Sequence, residues 1–285
     1  MFGKVVVISG CSSGIGLATA VTCLKRGARV FAGLRVPARQ SAALKAAATA
    51  QAVSDETVAN NLNFIQLDVA SDDSVRDAVE SVTGQTDNTI DYLINNAGEG
   101  LNGTIETIPL ERAKQHFDIN VWGAYRMVQQ VAPVMRRQGT GGHILNISSA
   151  SAYRSLPGFE IYGAGKFALD GLMQGYAGIA ALDKVSVTNV QPGPIATEFV
   201  TRLRTERTSG DSQTPAPEEV EDESDATLLR GLRNLAQFNE DRLAQATLTG
   251  YDVAAVVADL IEQHAESGKV PLSVPVGDPA KQVQE

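Results

Sequence analysis

The stretch "KVVVISGCSSGIGLATAVTCLKRG", Lys4 to Gly27, decides the fold. It opens with an apolar, β-branched run at residues 4–9 that stops at Gly10. A short continuous apolar run bounded by glycine reads as a buried strand. Residues 15–26 follow with helical spacing and stop at Gly27, a helix-ending signal. Between strand and helix stand Gly10, Gly14 and Gly16. Glycines let backbone approach a pyrophosphate closely, and the helix start offers free N–H groups and a positive dipole end. A plain tight turn would use the same glycines, so the rest of the chain has to choose.

The pattern repeats. Strand-like runs recur at residues 29–34, 63–67, 90–94, 143–147 and 185–190, with a last one within 270–276. Helical patterns fill 38–51, 72–83, 109–137, 160–181 and 251–266. Alternating elements with near-continuous apolar strands predict an α/β fold. The expected form is a single-domain, Rossmann-like, doubly wound parallel sheet of about seven strands, with helices on both faces. One catalytic domain would span residues 1–285. Pro271 and Pro275 put the last strand at a sheet edge or strand end. Residues 195–225 break the rhythm and read as a mobile loop, either a surface excursion or a substrate lid. A helix is expected to resume over 226–246.

With 285 residues, 43% of them hydrophobic, the chain can bury a sizeable core. Its net charge of -9 makes nucleic acid and anionic membranes poor partners, because phosphates would repel it. The acid is concentrated in Asp211, Glu218, Glu219, Glu221, Asp222, Glu223 and Asp225, with no Lys or Arg among them. Cys11 and Cys23 are too few for a disulfide framework and suit a reducing, cytoplasmic setting. No signal peptide is visible, and no run reaches the ~18 apolar residues of a membrane span. Asn102-Gly103-Thr104 and Asn146-Ile147-Ser148 match the glycosylation pattern by chance, the second inside a strand. His116, His143 and His264 are scattered, so no metal is expected. No Gly-x-Ser-x-Gly elbow supports a hydrolase.

The chemistry concentrates in "ISSASAYRSLPGFEIYGAGKFALDG", Ile147 to Gly171. Lys166 follows Tyr162 by one helical turn, so the two share a face. A free phenol has a pKa of about 10, and a nearby ammonium is expected to lower it into a useful range. Tyr162 would then act as general acid or base. Ser149 ends the preceding strand and offers a hydroxyl. Tyr153 is the competing phenol, but Pro157 stands where a helical cation partner would be. Alone, Tyr-x-x-x-Lys is a common surface pair.

Taken in order, these pieces resemble the short-chain dehydrogenase/reductase family. Its T-G-x-x-x-G-x-G turn is matched from Ser9 to Gly16, with Ser9 in the threonine place. Asp68-Val69, Asn95-Asn96-Ala97-Gly98, Asn120, then Ser149, Tyr162 and Lys166 follow. Pro192-Gly193-Pro194-Ile195-Ala196-Thr197 completes the set. The resemblance runs from residue 4 to about 200. "SGCSSGIGLA", "FAGLR" and "YGAGKFALDGL" are most similar to the branch containing 17β-hydroxysteroid and retinol dehydrogenases.

The resemblance implies a nicotinamide cofactor held by Gly10, Ser12, Ser13, Gly14, Ile15 and Gly16. It implies Asp68 at the adenine amino group and Val69 at its ring. Asn95, Ala97 and Gly98 would flank the adenosine ribose, with Asn95 as much a sheet brace as a ligand. Pro192, Gly193, Ile195 and Thr197 would border the nicotinamide, the last two holding its carboxamide. Ser149 would bond the substrate oxygen, and Tyr162 would move the proton. Lys166 would bond the nicotinamide ribose. Asn120 would distort its helix and hold a water leading from Lys166 to solvent.

The second strand ends at Leu34-Arg35, with no acid to repel a 2′-phosphate. Arg35, with help from Ser12, predicts NADP(H) over NAD(H). The expected function is carbonyl–alcohol oxidoreduction, chiefly reduction of a moderately bulky apolar ketone or aldehyde. Leu156, Phe159, Phe199 and Leu203 would line the substrate side or simply pack the loop. A non-catalytic NADP-binding sensor or scaffold remains open, as does an epimerase or dehydratase. Ala150, Ser151 and Ala152 supply no acid or histidine for that last chemistry. A homodimer or homotetramer is expected through the helix bearing Trp122, Tyr125, Met127 and Val131 and the helix after Tyr162. Core packing is an equal reading of those side chains.

Overall fold

All four residues of the first strand, β1 (Val5–Ile8), are buried. The strand has no solvent side because helices cover both of its faces. Val6 and Ile8 belong to one apolar cluster and Val5 and Val7 to another. The computed structural model describes residues 1–195, 230, 231, 234 and 246–277. Within them, seven parallel strands form one sheet in the order β3-β2-β1-β4-β5-β6-β7.

After β1 come α1 (Gly14–Lys25), β2 (Arg29–Leu34), α2 (Pro37–Ala50), α3 (Asp55–Asn61) and β3 (Leu62–Gln66). Next are α4 (Asp72–Gln85), β4 (Tyr92–Asn95), α5 (Leu110–Phe117), a π-helical segment (Asp118–Trp122) and α6 (Gly123–Arg137). The chain continues through β5 (Gly142–Ile147), α7 (Glu160–Ala180), β6 (Val185–Pro192), α8 (Gly250–Ser267) and β7 (Ser273–Val276). The doubly wound expectation holds, and β7, with Pro275, is the edge strand. Pro cannot donate to a ladder, so the edge is where it belongs.

Two elements differ from the pattern read in the sequence. α3 was not expected; Ser54 caps it, its hydroxyl accepting from Thr57 N. The helix expected over 109–137 is interrupted by the π-helical segment around Asn120. Periodicity alone does not reveal such a bulge, because the apolar stripe continues past it. The expected loop at 195–225 lies outside the described residues except for Ile195. The same holds for the helix at 226–246, apart from Arg230, Gly231 and Asn234, which are helical, and Ala246.

A polar ladder crosses the sheet just below its carboxyl edge. Asn95, Asn146 and Asn189 stand in register on β4, β5 and β6. Asn95 Nδ2 donates to Asn146 Oδ1, and Asn146 Nδ2 to Asn189 Oδ1, each at 2.9 Å. Asn189 Nδ2 reaches the Asp170 carbonyl of α7 at 3.4 Å. Buried amides of this kind need partners, and here each amide nitrogen finds one, while Asn95 Oδ1 is left without a partner among the described residues. Asn95 therefore acts as the sheet brace anticipated for it, and Asn146 is closed to glycosylation.

At the opposite end of the sheet the fold joins two histidines that are far apart in sequence. The rings of His143 and His264 lie 4.9 Å apart, and Tyr92 meets both edge-on. The Thr188 hydroxyl donates to the Pro271 carbonyl, so it accepts from His143 Nε2 at 2.9 Å. Burial pushes the His143 imidazole down to about 3, and His264 adds to the shift. Unfolded, this residue gains its proton near the ordinary histidine value of 6.5. In between, the unfolded chain binds the extra proton. Stability from this site is thus present above about 6.5 and drains away as pH falls, by up to about 1.4 kcal/mol per pH unit. A His143→Gln variant should show a shallower loss of denaturant midpoint across that window. Parallel slopes for variant and parent would disprove a neutral buried His143.

Candidate active site

Open α/β sheets bind ligands beyond the carboxyl ends of their strands, where the strand order reverses. Here that point lies between β1 and β4. Gly10 and Gly14 adopt φ of +72° and +60°. A Cβ on Gly10 would stand 2.8 Å from Ala97 Cα. One on Gly16 would stand 2.3 Å from both Gly10 O and Asn96 Nδ2. Ser9 Oγ accepts from Asn96 N and Ala97 N at 3.0 Å each. In return, Asn96 Nδ2 donates to Ser9 O and Gly10 O at 2.9 Å each. The glycine turn and the β4 turn are therefore one tied unit. The sequence reading named Ser9 and Asn96 only as motif positions; their bracing role emerges from the fold.

Around that unit stand the expected cofactor contacts. Ser12, Ser13, Gly14 and Ile15 are partly buried at the start of α1, whose first turn carries no acid. Cys11 N bonds Gly33 O at 3.0 Å, which brings the end of β2 alongside. Arg35 lies two residues beyond, exposed, with no ion pair among the described residues. Asp68 is pinned by Ala70 N donating to its Oδ1 at 3.1 Å, and Val69 packs against Gly123. Gly98 lies where a Cβ would come 3.0 Å from Asn120 Oδ1. Pro192 ends β6, Gly193 N bonds Val276 O at 3.0 Å, and Ile195 bridges Leu248. A glycine cradle and an acid-free helix start fit an anionic dinucleotide. Thr197, Phe199 and Leu203 lie outside the described residues.

The three chemical groups converge. Ser149 follows β5 and caps a short turn, its Oγ accepting from Ser151 N at 3.1 Å. It also hydrogen-bonds the Tyr162 phenol from the first turn of α7. Lys166, one turn on, is buried; its Nζ donates to Ile147 O at 3.0 Å and stands 5.8 Å from the Tyr162 ring centre. Gly163 makes the packing possible, since a Cβ there would meet Ser155 Oγ at 2.2 Å. Phe159 is buried with its ring edge-on to Tyr162 at 6.3 Å, so it supports the phenol. Leu156 is partly buried nearby in sequence.

The electrostatics correct one expectation. The phenol was expected below its usual range; instead desolvation raises it, and the Ser149 bond only partly opposes the rise. Burial also pulls the Lys166 ammonium down to about 8, with the Asp170 charge resisting. Proximity to a cation does not lower a phenol whose own burial costs more. Asp170 is a group the sequence reading passed over. It lies four residues after Lys166, and that spacing was its signal. Burial pushes its carboxyl up, against the pull of Ser148, Gln191 and the Lys166 charge. Gln191 donates to Asp170 Oδ2, and Tyr153 donates to Gln191 Oε1. The competing phenol is thus engaged elsewhere.

Asn120 is buried in the π-helical segment, as its expected helix distortion requires. Its Oδ1 accepts from Glu99 N and its Nδ2 donates to Glu99 O, both at 2.8 Å.

The model of the short chain dehydrogenases matches residues 4–208. The chain belongs to the short-chain dehydrogenase/reductase family. Human retinol dehydrogenase 8 is 36% identical over 203 residues, which cover 70% of this chain and 61% of that protein. Human 17-beta-hydroxysteroid dehydrogenase type 1 is 36% identical over 228 residues, covering 79% and 64%. The chain thus spans less than two thirds of the length of these relatives. An uncharacterized oxidoreductase of Escherichia coli, YbbO, is 33% identical over 69% of this chain and 67% of its own. Among solved structures, levodione reductase superposes with a TM-score of 0.78 at 22% identity, over 99% of this chain and 100% of its own. The fold and the branch resemblance are those anticipated. Among the described residues, no helix is long and apolar enough to cross a membrane.

The coupling of Lys166 to Asp170 has a direct test. Removing the carboxylate charge in Asp170→Asn should drop the Lys166 pKa further below about 8. Lysine side-chain NMR titration reads the midpoint; an unmoved value would refute the coupling.

Proposed function

We propose that the chain is an NADP(H)-dependent oxidoreductase interconverting a carbonyl and a secondary alcohol, chiefly reducing a moderately bulky apolar ketone or aldehyde. The observation that carries this reading is the convergence of Ser149, Tyr162 and Lys166 at the carboxyl edge of the sheet, on the side of the tied glycine turn. A bound nicotinamide would supply or accept the hydride. Tyr162 gives its phenolic proton to the carbonyl oxygen during reduction and takes it back during oxidation. Ser149 holds the same oxygen as a second hydroxyl partner. Lys166 places positive charge where the phenolate forms, which favours the charged phenol at the moment of transfer. Asp170 helps keep that ammonium protonated.

Arg35 at the end of β2, with no acid beside it, supports NADP(H). The structural neighbour ElxO, described with NADP bound, aligns at TM-score 0.72 and 23% identity, over 96% of this chain and 97% of its own. The proposal includes a single catalytic domain and a cytoplasmic location, which the free buried thiols of Cys11 and Cys23 suit. It also includes a homodimer or homotetramer joined through the end of the π-helical segment, α6 and α7, where Trp122, Tyr125 and Phe167 are exposed. Met127 and Val131 belong to the core instead.

Two substitutions test the reading. Tyr162→Phe should abolish carbonyl-dependent NADPH oxidation while NADPH still binds; substantial residual turnover removes the assigned proton donor. A non-catalytic sensor predicts no turnover in the parent either. Arg35→Asp should weaken NADPH binding roughly tenfold or more, as loss of a charge-assisted contact worth about 1.5–3 kcal/mol implies. An unchanged NADPH affinity would overturn the cofactor preference.

A further inference from the structure

Beside Lys166 runs a hydrogen-bonded chain whose far members the reaction above does not use. Asp170 stands one turn after Lys166 on α7, and both are buried. Gln191 lies near the end of β6 and is 2% exposed. Tyr153 lies in the segment between β5 and α7 that also carries Ser149. Asn189 and Gln191 are two residues apart on β6, so they share the sheet face that α7 covers. Asn189 Nδ2 reaches the Asp170 carbonyl at 3.4 Å, and Gln191 Nε2 donates to Asp170 Oδ2. The strand thus grips both the backbone and the carboxylate of one α7 residue. At the far end of the amide, Gln191 Oε1 accepts from the Tyr153 hydroxyl. A carboxylate only accepts and a phenol can donate, so an amide bridges them without adding a charge. Lys166 Nζ gives its hydrogen bond to Ile147 O, so the Asp170 charge acts on it through space. Ser148 also favours that charge, yet Asp170 Oδ1 has no hydrogen-bond partner among the described residues.

We propose that Gln191 is a positioning residue: anchored by Tyr153, its amide holds the Asp170 carboxylate beside Lys166 as the counter-charge of the ammonium. Its bearing on turnover rests on the oxidoreductase reading; the coupling to Lys166 does not. Burial alone pushes the Asp170 carboxyl toward its neutral form, which would leave Lys166 without that charge. A donated hydrogen bond favours the carboxylate instead. The other titratable groups around the pair are the phenols Tyr162 on α7 and Tyr153 itself. His116 of α5 meets the Tyr162 ring edge-on at 6.0 Å, and Glu99 Oε1 lies 3.7 Å from His116. Among these groups, Asp170 is the charge that resists the fall of Lys166.

The decisive measurement is a lysine side-chain NMR titration of the full chain. It compares the parent, Gln191→Met, Asp170→Asn and the two substitutions together. Gln191→Met keeps the length of the side chain and loses the donor. It should drop the Lys166 midpoint further below about 8, as Asp170→Asn does. The double variant should stand where Asp170→Asn alone stands, because residues that act through one another do not add. In Gln191→Glu two carboxyl groups share the site, so one keeps a proton and a donor is restored. Its midpoint should return to the parent value or above. An unmoved midpoint in Gln191→Met, effects that add in the double variant, or a Gln191→Glu midpoint as low as that of Gln191→Met would each overturn the proposal. A second arm follows NADPH oxidation across pH with benzil as the probe. The ammonium is charged below its midpoint, so kcat should fall as pH rises through it. That alkaline limb should move to lower pH in Gln191→Met and return in Gln191→Glu. A limb that stays put in Gln191→Met while the midpoint falls would overturn the bearing on turnover. If the parent oxidises no NADPH with this probe, the oxidoreductase reading suffers, while the titration still decides the coupling.

Discussion

Close backbone contact at the point where the strand order reverses is the constraint on which the structure depends. Gly10 and Gly16 bring the first turn against Asn96 and Ala97 at distances that no side chain would allow. Four hydrogen bonds then join Ser9 and Gly10 to Asn96 and Ala97 across the junction. Polar groups buried in such a place must be paired, and this reciprocal arrangement pairs them. The glycines therefore serve the protein's own packing as well as any approach by a ligand. Those two roles are compatible: the same absence of Cβ atoms that lets two turns touch would also let a ligand come close to the backbone there.

From that junction, order passes along the carboxyl edge by hydrogen bonds rather than by apolar packing. The asparagine ladder links β4, β5 and β6 and ends on the α7 backbone at Asp170. Lys166 is tied to β5 through Ile147, and Ser149 follows two residues later. Thus the strand that carries the serine also fixes the ammonium beside the phenol. Asp170 adds a charge where the ammonium would otherwise be most destabilised by burial. Directional bonds suit this task because they set distance and angle, whereas apolar contacts tolerate sliding.

Much of this was legible in the sequence. Strand, glycine turn and helix follow from residues 4–27 because apolar periodicity and glycine position are local signals. Tyr162 and Lys166 share a face because helical spacing is local too. The interruption at Asn120 was implied by resemblance and invisible to periodicity. Asp170 had a readable signal four residues after Lys166. Gln191 had none, since 21 residues separate it from Asp170 in the chain. The rise of the phenol was also hidden, because desolvation depends on what covers a group rather than on what neighbours it in sequence.

The amino-acid sequence by itself determined the order of elements, the parallel sheet and the set of chemical groups, since these depend on residue type and short spacing. Tertiary structure alone decided which buried polar atoms meet: Ser9 with Asn96, His143 with Thr188, Gln191 with Asp170. Those pairings join residues distant along the chain. They exist only after the sheet and its helices have closed off water and left each buried donor needing an acceptor.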